Sequence, residues 1–114
     1  MTLPRELVAA STVPLVLSLL EGDDGYGYAL IKRIRELSDD RIAWSDGMLY
    51  PVLRRLEAQG LITSSWQGTA GGRRRRYYRL EPAGRDELAR LREQWDLIGS
   101  VLDRLRKENA SCSS

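Results

Sequence analysis

The side chains best suited to chemistry in this chain are arginines, and they are concentrated in one segment. A glycine-rich stretch is followed directly by four consecutive arginines: Arg73, Arg74, Arg75 and Arg76. Like charges held side by side repel one another, so a polyanion is the natural partner of such a run. The alternative is an edge strand that charge protects from aggregation. Because the arginines adjoin a flexible loop, we favour contact with nucleic acid.

The composition gives little support to enzymatic chemistry. The chain has no histidine, and its single cysteine, Cys112, lies in a polar terminal segment. No carboxylates pair with a nucleophile at a recognisable spacing. The glycines between Gly68 and Gly72 precede no predicted helix, so they do not form a phosphate-binding loop. One cysteine excludes an intrachain disulfide or zinc site. We therefore expect no enzymatic activity, no metal site and no cofactor.

The net positive charge is confined to the middle third of the sequence. The net charge of the whole chain is only +2. Residues 1–40 carry −3, residues 41–80 carry +6, and residues 81–114 carry −1. A positive field over one segment is what a surface that faces DNA requires.

A short helix precedes the arginine run. Ser45 is a good N-cap and Gly60 a good stop. At 100° per residue, one side of this helix is apolar and the other is polar or small. The apolar side contains Met48, Leu49, Val52, Leu53 and Leu56. The opposite side contains Gly47, Tyr50, Pro51, Arg54 and Arg55.

The outer side of this helix is either solvated surface or a contact surface. Tyr50 and Arg54 are four residues apart and share a face, from which a phenol and a guanidinium can both reach phosphates or base edges. Pro51 lacks a backbone donor. It predicts either a helix that starts near Tyr50 or a bent first turn.

The arginine run belongs to a predicted β-hairpin. Residues 61–67 and 73–80 both have strand character, and a glycine-rich turn separates them. A helix followed directly by a hairpin with basic tips is typical of a winged helix-turn-helix that binds DNA. We therefore predict a mostly α fold with a small β-hairpin, which we call the wing.

Two more helices are expected before this unit. Residues 4–21 are helical in pattern but interrupted, and Ser11 and Thr12 could cap a second segment that has Pro14 in its first turn. Residues 25–38 form the next helix, with an inner face of Ala29, Leu30, Ile31, Ile34 and Leu37. Its Lys32, Arg33 and Arg35 either contact phosphate or are simply solvated. Trp44, which follows, is expected to pack in the core.

A long helix ends the chain, from about Pro82 to Lys107. Its apolar residues recur at alternating spacings of three and four: Leu88, Leu91, Trp95, Ile98, Leu102 and Leu105. This heptad seam predicts dimerisation through a second copy, and the alternative is that the helix folds back on its own domain. The expected organisation is a DNA-binding domain over residues 1–80, a dimerisation helix over 81–108 and a disordered tail over 109–114.

These motifs resemble the PadR family of bacterial transcriptional regulators over roughly residues 6–95. The resemblance rests on Gly25 to Tyr28, Ser45 to Pro51, Leu53, Arg55 to Glu57, Gly60 to Ile62, Trp66, Gly72, Arg73, Tyr77 to Leu80, Ala83 and Gly84. It implies a winged helix-turn-helix that dimerises through its terminal helices, usually as a repressor. Two positions depart from the common pattern. Arg74 replaces a frequent proline, and Glu81 replaces a frequent threonine or serine cap.

The combined expectation is a homodimeric repressor with two recognition helices in successive major grooves of double-stranded DNA. Gly47, Met48, Tyr50 and Arg54 would lie nearest the bases, and Ser45 and Arg55 would hold phosphates. The wing, Arg73 to Arg76, would follow the backbone or enter the minor groove. The operator would be a pseudo-palindrome. The family resemblance implies a small, often aromatic effector near the dimer interface.

Trp95 is the candidate contact for such an effector, although a tryptophan in a seam is more often core. The alternative function is a winged-helix module that binds an acidic protein partner. No apolar run is long enough to span a membrane, and the first residues do not form a signal peptide, so we expect a cytoplasmic protein.

Overall fold

The fold consists of four helices and a small sheet. The computed structural model describes residues 2–68 and 71–112. The helices are α1 (Arg5–Gly22), α2 (Gly27–Leu37), α3 (Asp46–Ala58) and α4 (Pro82–Cys112). The strands are β1 (Gly25–Tyr26), β2 (Ile62–Gly68) and β3 (Arg74–Leu80). This is the predicted helix-turn-helix followed by a wing and a long terminal helix. Within the described residues, no helix combines the length and apolarity that a membrane span needs.

Helix α1 is continuous, so the predicted interruption is wrong. Pro14 lies inside the helix and removes one backbone donor without breaking it. The hydroxyl groups of Ser11 and Thr12 donate to the carbonyl of Val8, at 3.1 and 2.7 Å. They therefore bond back to the preceding turn and cap no new segment. The buried side of α1 includes Leu17, which is fully enclosed.

The core forms where α1, α2 and α3 meet the base of the wing and the start of α4. Its fully buried apolar side chains are Val16, Leu17, Leu49, Leu53, Leu56, Ile62 and Leu88. The predicted inner face of α3 is confirmed, with Met48 and Val52 partly buried against the same cluster. Trp44 is buried as expected. On α2 the prediction fails at Leu37, which is 57% exposed because it lies at the end of the helix.

The sheet has three strands in the order β1-β3-β2, one more than predicted. Strands β2 and β3 pair antiparallel from Ile62 opposite Leu80 to Gly68 opposite Arg74. The two-residue strand β1 pairs only with Tyr77 and Tyr78 of β3. The backbone of Arg74, Arg75 and Arg76 therefore lies beyond the last β1 pair, where the hairpin is a two-stranded ribbon.

Helix α4 is longer than predicted, and its apolar seam divides into two parts. It continues to Cys112, so the expected tail from residue 109 is wrong as far as residue 112; residues 113 and 114 lie outside the described residues. Leu88 is fully buried in its own chain, which contradicts its assignment to a dimer contact. Leu91 is half-buried against the same core. From Trp95 onward the seam is exposed at Trp95, Ile98, Leu102 and Leu105, and the neighbouring Leu97 and Val101 are exposed as well.

Candidate nucleic-acid interface

The N-terminus of α3 is held by the predicted cap. The Ser45 hydroxyl accepts a hydrogen bond from the backbone N–H of Met48 at 3.2 Å, and the Ser45 carbonyl accepts from Leu49 at 2.9 Å. Helix α3 begins at Asp46 and includes Pro51, so the start near Tyr50 did not occur. Because proline has no N–H, the carbonyl of Gly47 lacks its usual partner within the helix.

The outward face of α3 presents most of the predicted contact residues. Gly47, Tyr50, Pro51, Arg54 and Arg55 are all exposed. No hydrogen bond or ion pair among the described residues involves the Arg54 guanidinium, so it is available to a partner. Met48 differs from its neighbours on this helix because it is half-buried against the core.

A glycine in α2 determines where the Tyr50 ring lies. Gly27 is buried, and a Cβ atom at this position would collide with the Tyr50 hydroxyl and lie 2.7 Å from Cζ of the ring. Only a residue without a side chain allows Tyr50 to lie across the start of α2. Gly27 thus permits a close approach between α2 and α3, made through the Tyr50 side chain on the outward face of α3.

A cleft of about 650 Å³ separates this face from the wing. Tyr28 and Tyr50 line one side, and Trp66 and Arg74 line the other, with Arg54 also contributing. Tyr28 and Trp66 are 66% and 55% exposed. Exposed aromatic rings beside arginines offer both stacking and charge to a ligand. Phosphate, sugar or bases could all be held there.

The wing arginines are not equivalent. The guanidinium groups of Arg74 and Arg76 lie 5.6 and 5.7 Å from the centre of the Trp66 ring. That of Arg75 lies 4.4 Å from the Tyr26 ring centre and is half-buried. Arg73 is exposed at the start of the run. Cation–π contact orders these side chains without neutralising their charge.

Two basic side chains of β3 are paired with carboxylates, which the sequence analysis missed. Arg76 bonds to Glu57 at 3.3 Å, and Arg79 bonds to Asp24 at 3.1 Å. The hydrogen bond and charge of Asp24 raise the pKa of Arg79 above its usual value. The sequence shows Glu57 on the predicted helix, but it does not give the register between β2 and β3. That register brings Arg76 to the Glu57 carboxylate.

One aromatic side chain that lines the cleft, Tyr78, is buried. Tyr78 is only 4% exposed and lines the cleft together with Arg76 and with Tyr50 and Arg54 of α3. Burial raises the pKa of its phenol, and the nearby Arg76 charge opposes this shift only in part. The Tyr78 hydroxyl therefore stays protonated at neutral pH and remains a hydrogen-bond donor. In the part of the chain that the structure describes, no group of three or more metal-ligating side chains occurs.

Comparison with known proteins determines the family. The family model "Transcriptional regulator PadR-like family" matches residues 16–90, which include α2, α3 and the wing. The chain belongs to the PadR-like family of transcriptional regulators. PadR family regulators bind DNA and are typically dimeric.

Solved structures agree with this assignment. A transcriptional regulator from Clostridium thermocellum is 30% identical, with a TM-score of 0.81 over 90% of this chain and 97% of that chain. A PadR family regulator from Eggerthella lenta is 38% identical, with a TM-score of 0.73 over 88% and 85% of the two chains. Among curated relatives, the transcriptional regulator Rv3488 of Mycobacterium tuberculosis is 52% identical over 54 residues. That match spans 47% of this chain and 50% of the relative.

Proposed function

We propose that this PadR-like chain is a homodimeric, sequence-specific repressor that binds a pseudo-palindromic operator and is released by a small molecule. One observation carries the proposal: the exposed face of α3, with Tyr50 and Arg54, borders the same cleft as the wing arginines. In this arrangement α3 enters the major groove while the wing follows the backbone or the minor groove. Action on chromosomal DNA implies a cytoplasmic location.

Within this proposal the contact residues divide by role. Gly47, Tyr50 and Arg54 meet base edges, and the partly buried Met48 contributes at most its exposed edge. Ser45, Pro51 and Arg55 lie along the phosphates, as do the tip arginines of the wing, by which we mean Arg73, Arg74 and Arg75. Repression follows from occupancy, because a dimer over a promoter excludes RNA polymerase.

The exposed part of α4 supports dimerisation. Its apolar side chains from Trp95 to Leu105 remain exposed within the described chain, and Ile98 and Leu102 are 57% and 60% exposed. A second copy of the helix would bury them in a heptad seam. Leu102→Glu would place a charge in that seam, so we expect this variant to sediment as a monomer. A dimer that persists unchanged would exclude this face as the interface.

Trp95 is the proposed effector contact. Its indole is 38% exposed at the N-terminal end of the exposed part of the seam, where a planar ligand could stack on it. A ligand there would change the separation of the two recognition helices. Quenching of tryptophan fluorescence by planar aromatic compounds, lost in Trp95→Phe, would support this role. If no such compound quenches a protein that binds DNA, Trp95 is purely structural.

The test of the function is fluorescence anisotropy with DNA from the regulator's own upstream region and with a random duplex, across a salt series. We expect selective, saturable binding at two chains per duplex, with an affinity that falls steeply with salt. Equal, weak binding to both duplexes would favour the alternative function, a winged-helix module that binds an acidic protein.

A further inference from the structure

Three side chains connect the recognition helix to the wing, and we call them the helix–wing joint: Glu57, Ser64 and Arg76. The Ser64 hydroxyl donates to Oε2 of Glu57 at 2.6 Å. Nε of Arg76 donates to the Ser64 hydroxyl at 2.8 Å, and Nη2 donates to Oε1 of Glu57 at 3.3 Å. The joint therefore links the last turn of α3 to both strands of the wing.

The joint lies where the wing leaves the body of the protein. Below it, Ile62, Tyr78 and Leu80 are buried and anchor the sheet to the core. Above it, the backbone of β1 no longer pairs with β3, and the contact of the Arg75 guanidinium with the Tyr26 ring is made by side chains alone. A two-stranded ribbon is marginally stable alone and twists easily. Among the described residues, the joint is the hydrogen-bonded connection between α3 and the wing that lies nearest the tip.

The position of the joint matters because a small rotation of the ribbon there produces a larger displacement at the tip of the wing. From Arg76 to the first arginine of the run is three residues, or roughly 10 Å of extended chain. A rotation of the ribbon at the joint moves the tip arginines relative to the recognition face. DNA contacts by the wing and by α3 are productive together only when that offset matches the duplex.

We propose that Glu57, Ser64 and Arg76 are positioning residues that fix the wing in register with the recognition helix, and that Arg76 is not a phosphate contact. This inference rests on the proposed DNA-binding function and refines it. The role of the joint is to keep the tip arginines and the α3 face on the same stretch of duplex.

Glu57→Ala gives a test in which electrostatics and positioning predict opposite signs. Removing a negative charge from a surface that faces DNA should tighten sequence-independent binding. If Glu57 positions the wing, affinity for a duplex recovered by selection from random sequences should instead fall by roughly tenfold, as expected for loss of a charged hydrogen bond. Affinity for a random duplex should stay equal or rise.

Asp46→Ala is the matched control on the same helix. Asp46 is an exposed acidic residue in the first turn of α3, and it has no side-chain hydrogen bond or ion pair among the described residues. This variant removes the same charge but leaves the joint intact, so it should not reproduce the loss of selectivity. If the two variants behave alike, Glu57 acts through charge alone and the proposal fails.

Arg76 is tested against Arg74, which is exposed on the same ribbon and has no carboxylate partner among the described residues. Arg74→Gln should reduce the salt dependence by about 0.9 per protomer, the loss of one phosphate contact. Arg76→Gln should lower selective affinity with the salt slope unchanged. The double variant Glu57→Ala/Arg76→Gln should be no weaker than either single variant, because the residues act as one unit. Equal slope losses for the two arginines, or fully additive effects, would overturn the proposal.

A measurement without DNA separates this inference from the proposed function. Amide hydrogen exchange of residues 64–68 and 74–76 should accelerate in Glu57→Ala and in Arg76→Gln, with the core unchanged. Unchanged exchange in the wing would refute the joint even if DNA binding is selective. If selection recovers no preferred duplex while exchange accelerates, the joint stands as a structural element and the DNA-binding function fails.

Discussion

Replacement of Gly27 by alanine should displace the Tyr50 ring from its position without unfolding the protein. The added Cβ would lie 2.7 Å from Cζ of the Tyr50 ring, whereas ordinary contact begins at 3.4 Å. The ring must therefore retreat by about 0.7 Å or more at Cζ, and further at its hydroxyl, because repulsion rises steeply inside contact distance. Tyr50 is 37% exposed, so it can swing toward solvent.

The expected cost falls on recognition rather than on stability. A surface ring that moves aside changes the free energy of unfolding by less than about 1 kcal/mol. A lost base contact is worth about 1–3 kcal/mol of discrimination, so affinity for the selected duplex should fall roughly tenfold or more. Affinity for a random duplex should change little, because phosphate contacts dominate it.

Anisotropy titrations and thermal unfolding together measure both quantities. Gly22→Ala is the control, because nothing lies within 4 Å of the added Cβ, and both properties should stay unchanged. In a Tyr50→Ala background, Gly27→Ala should have no further effect on DNA binding. Wild-type selectivity in Gly27→Ala, or an equal loss in the Tyr50→Ala background, would refute the proposed role of this contact.

Three further predictions concern the wing and the core. Arg74→Ala should weaken binding to all sequences and lower the salt slope by about 0.9 per protomer; an unchanged slope in anisotropy titrations would rule out its phosphate contact. Gly84→Ala should destabilise the fold by about 1–3 kcal/mol in urea unfolding, because its Cβ would strike the backbone carbonyl of Leu61, whereas Gly47→Ala, with nothing within 4 Å, should not destabilise it. Since burial raises the pKa of Tyr78 in the folded state, its contribution is complete below the ordinary value of 10.0 and is lost as pH rises above it. Urea unfolding from pH 9 to 11 should show a decline that is smaller in Tyr78→Phe.

Helix α3 and the core could be predicted from the sequence because the residues that determine them are close together in the chain. The Ser45 cap, the stop at Gly60 and the apolar stripe of α3 all agree with the structure. Gly60 adopts a φ of +75°, the left-handed conformation that its residue type allows. The hairpin followed from two strand-like runs around glycines.

The remaining features depend on contacts between distant segments. Strand β1 has only two residues, too few for a periodic pattern, and exists because β3 pairs with it. The apolar residues of the α4 seam recur at the same spacing along its whole length, but the first of them, Leu88, is buried within its own chain. Glu57 and Arg76 are 19 residues apart, and only the β2–β3 register brings them together. Periodicity identifies apolar faces but does not tell what covers them.

The most direct test of the central claim is amide hydrogen exchange of the protein with and without the selected duplex. The account predicts that DNA slows exchange in α3 and in the wing strands, residues 46–58, 62–68 and 74–80, and leaves residues 95–112 of α4 unchanged. Protection confined to α4, with α3 and the wing exchanging as in the free protein, would contradict it.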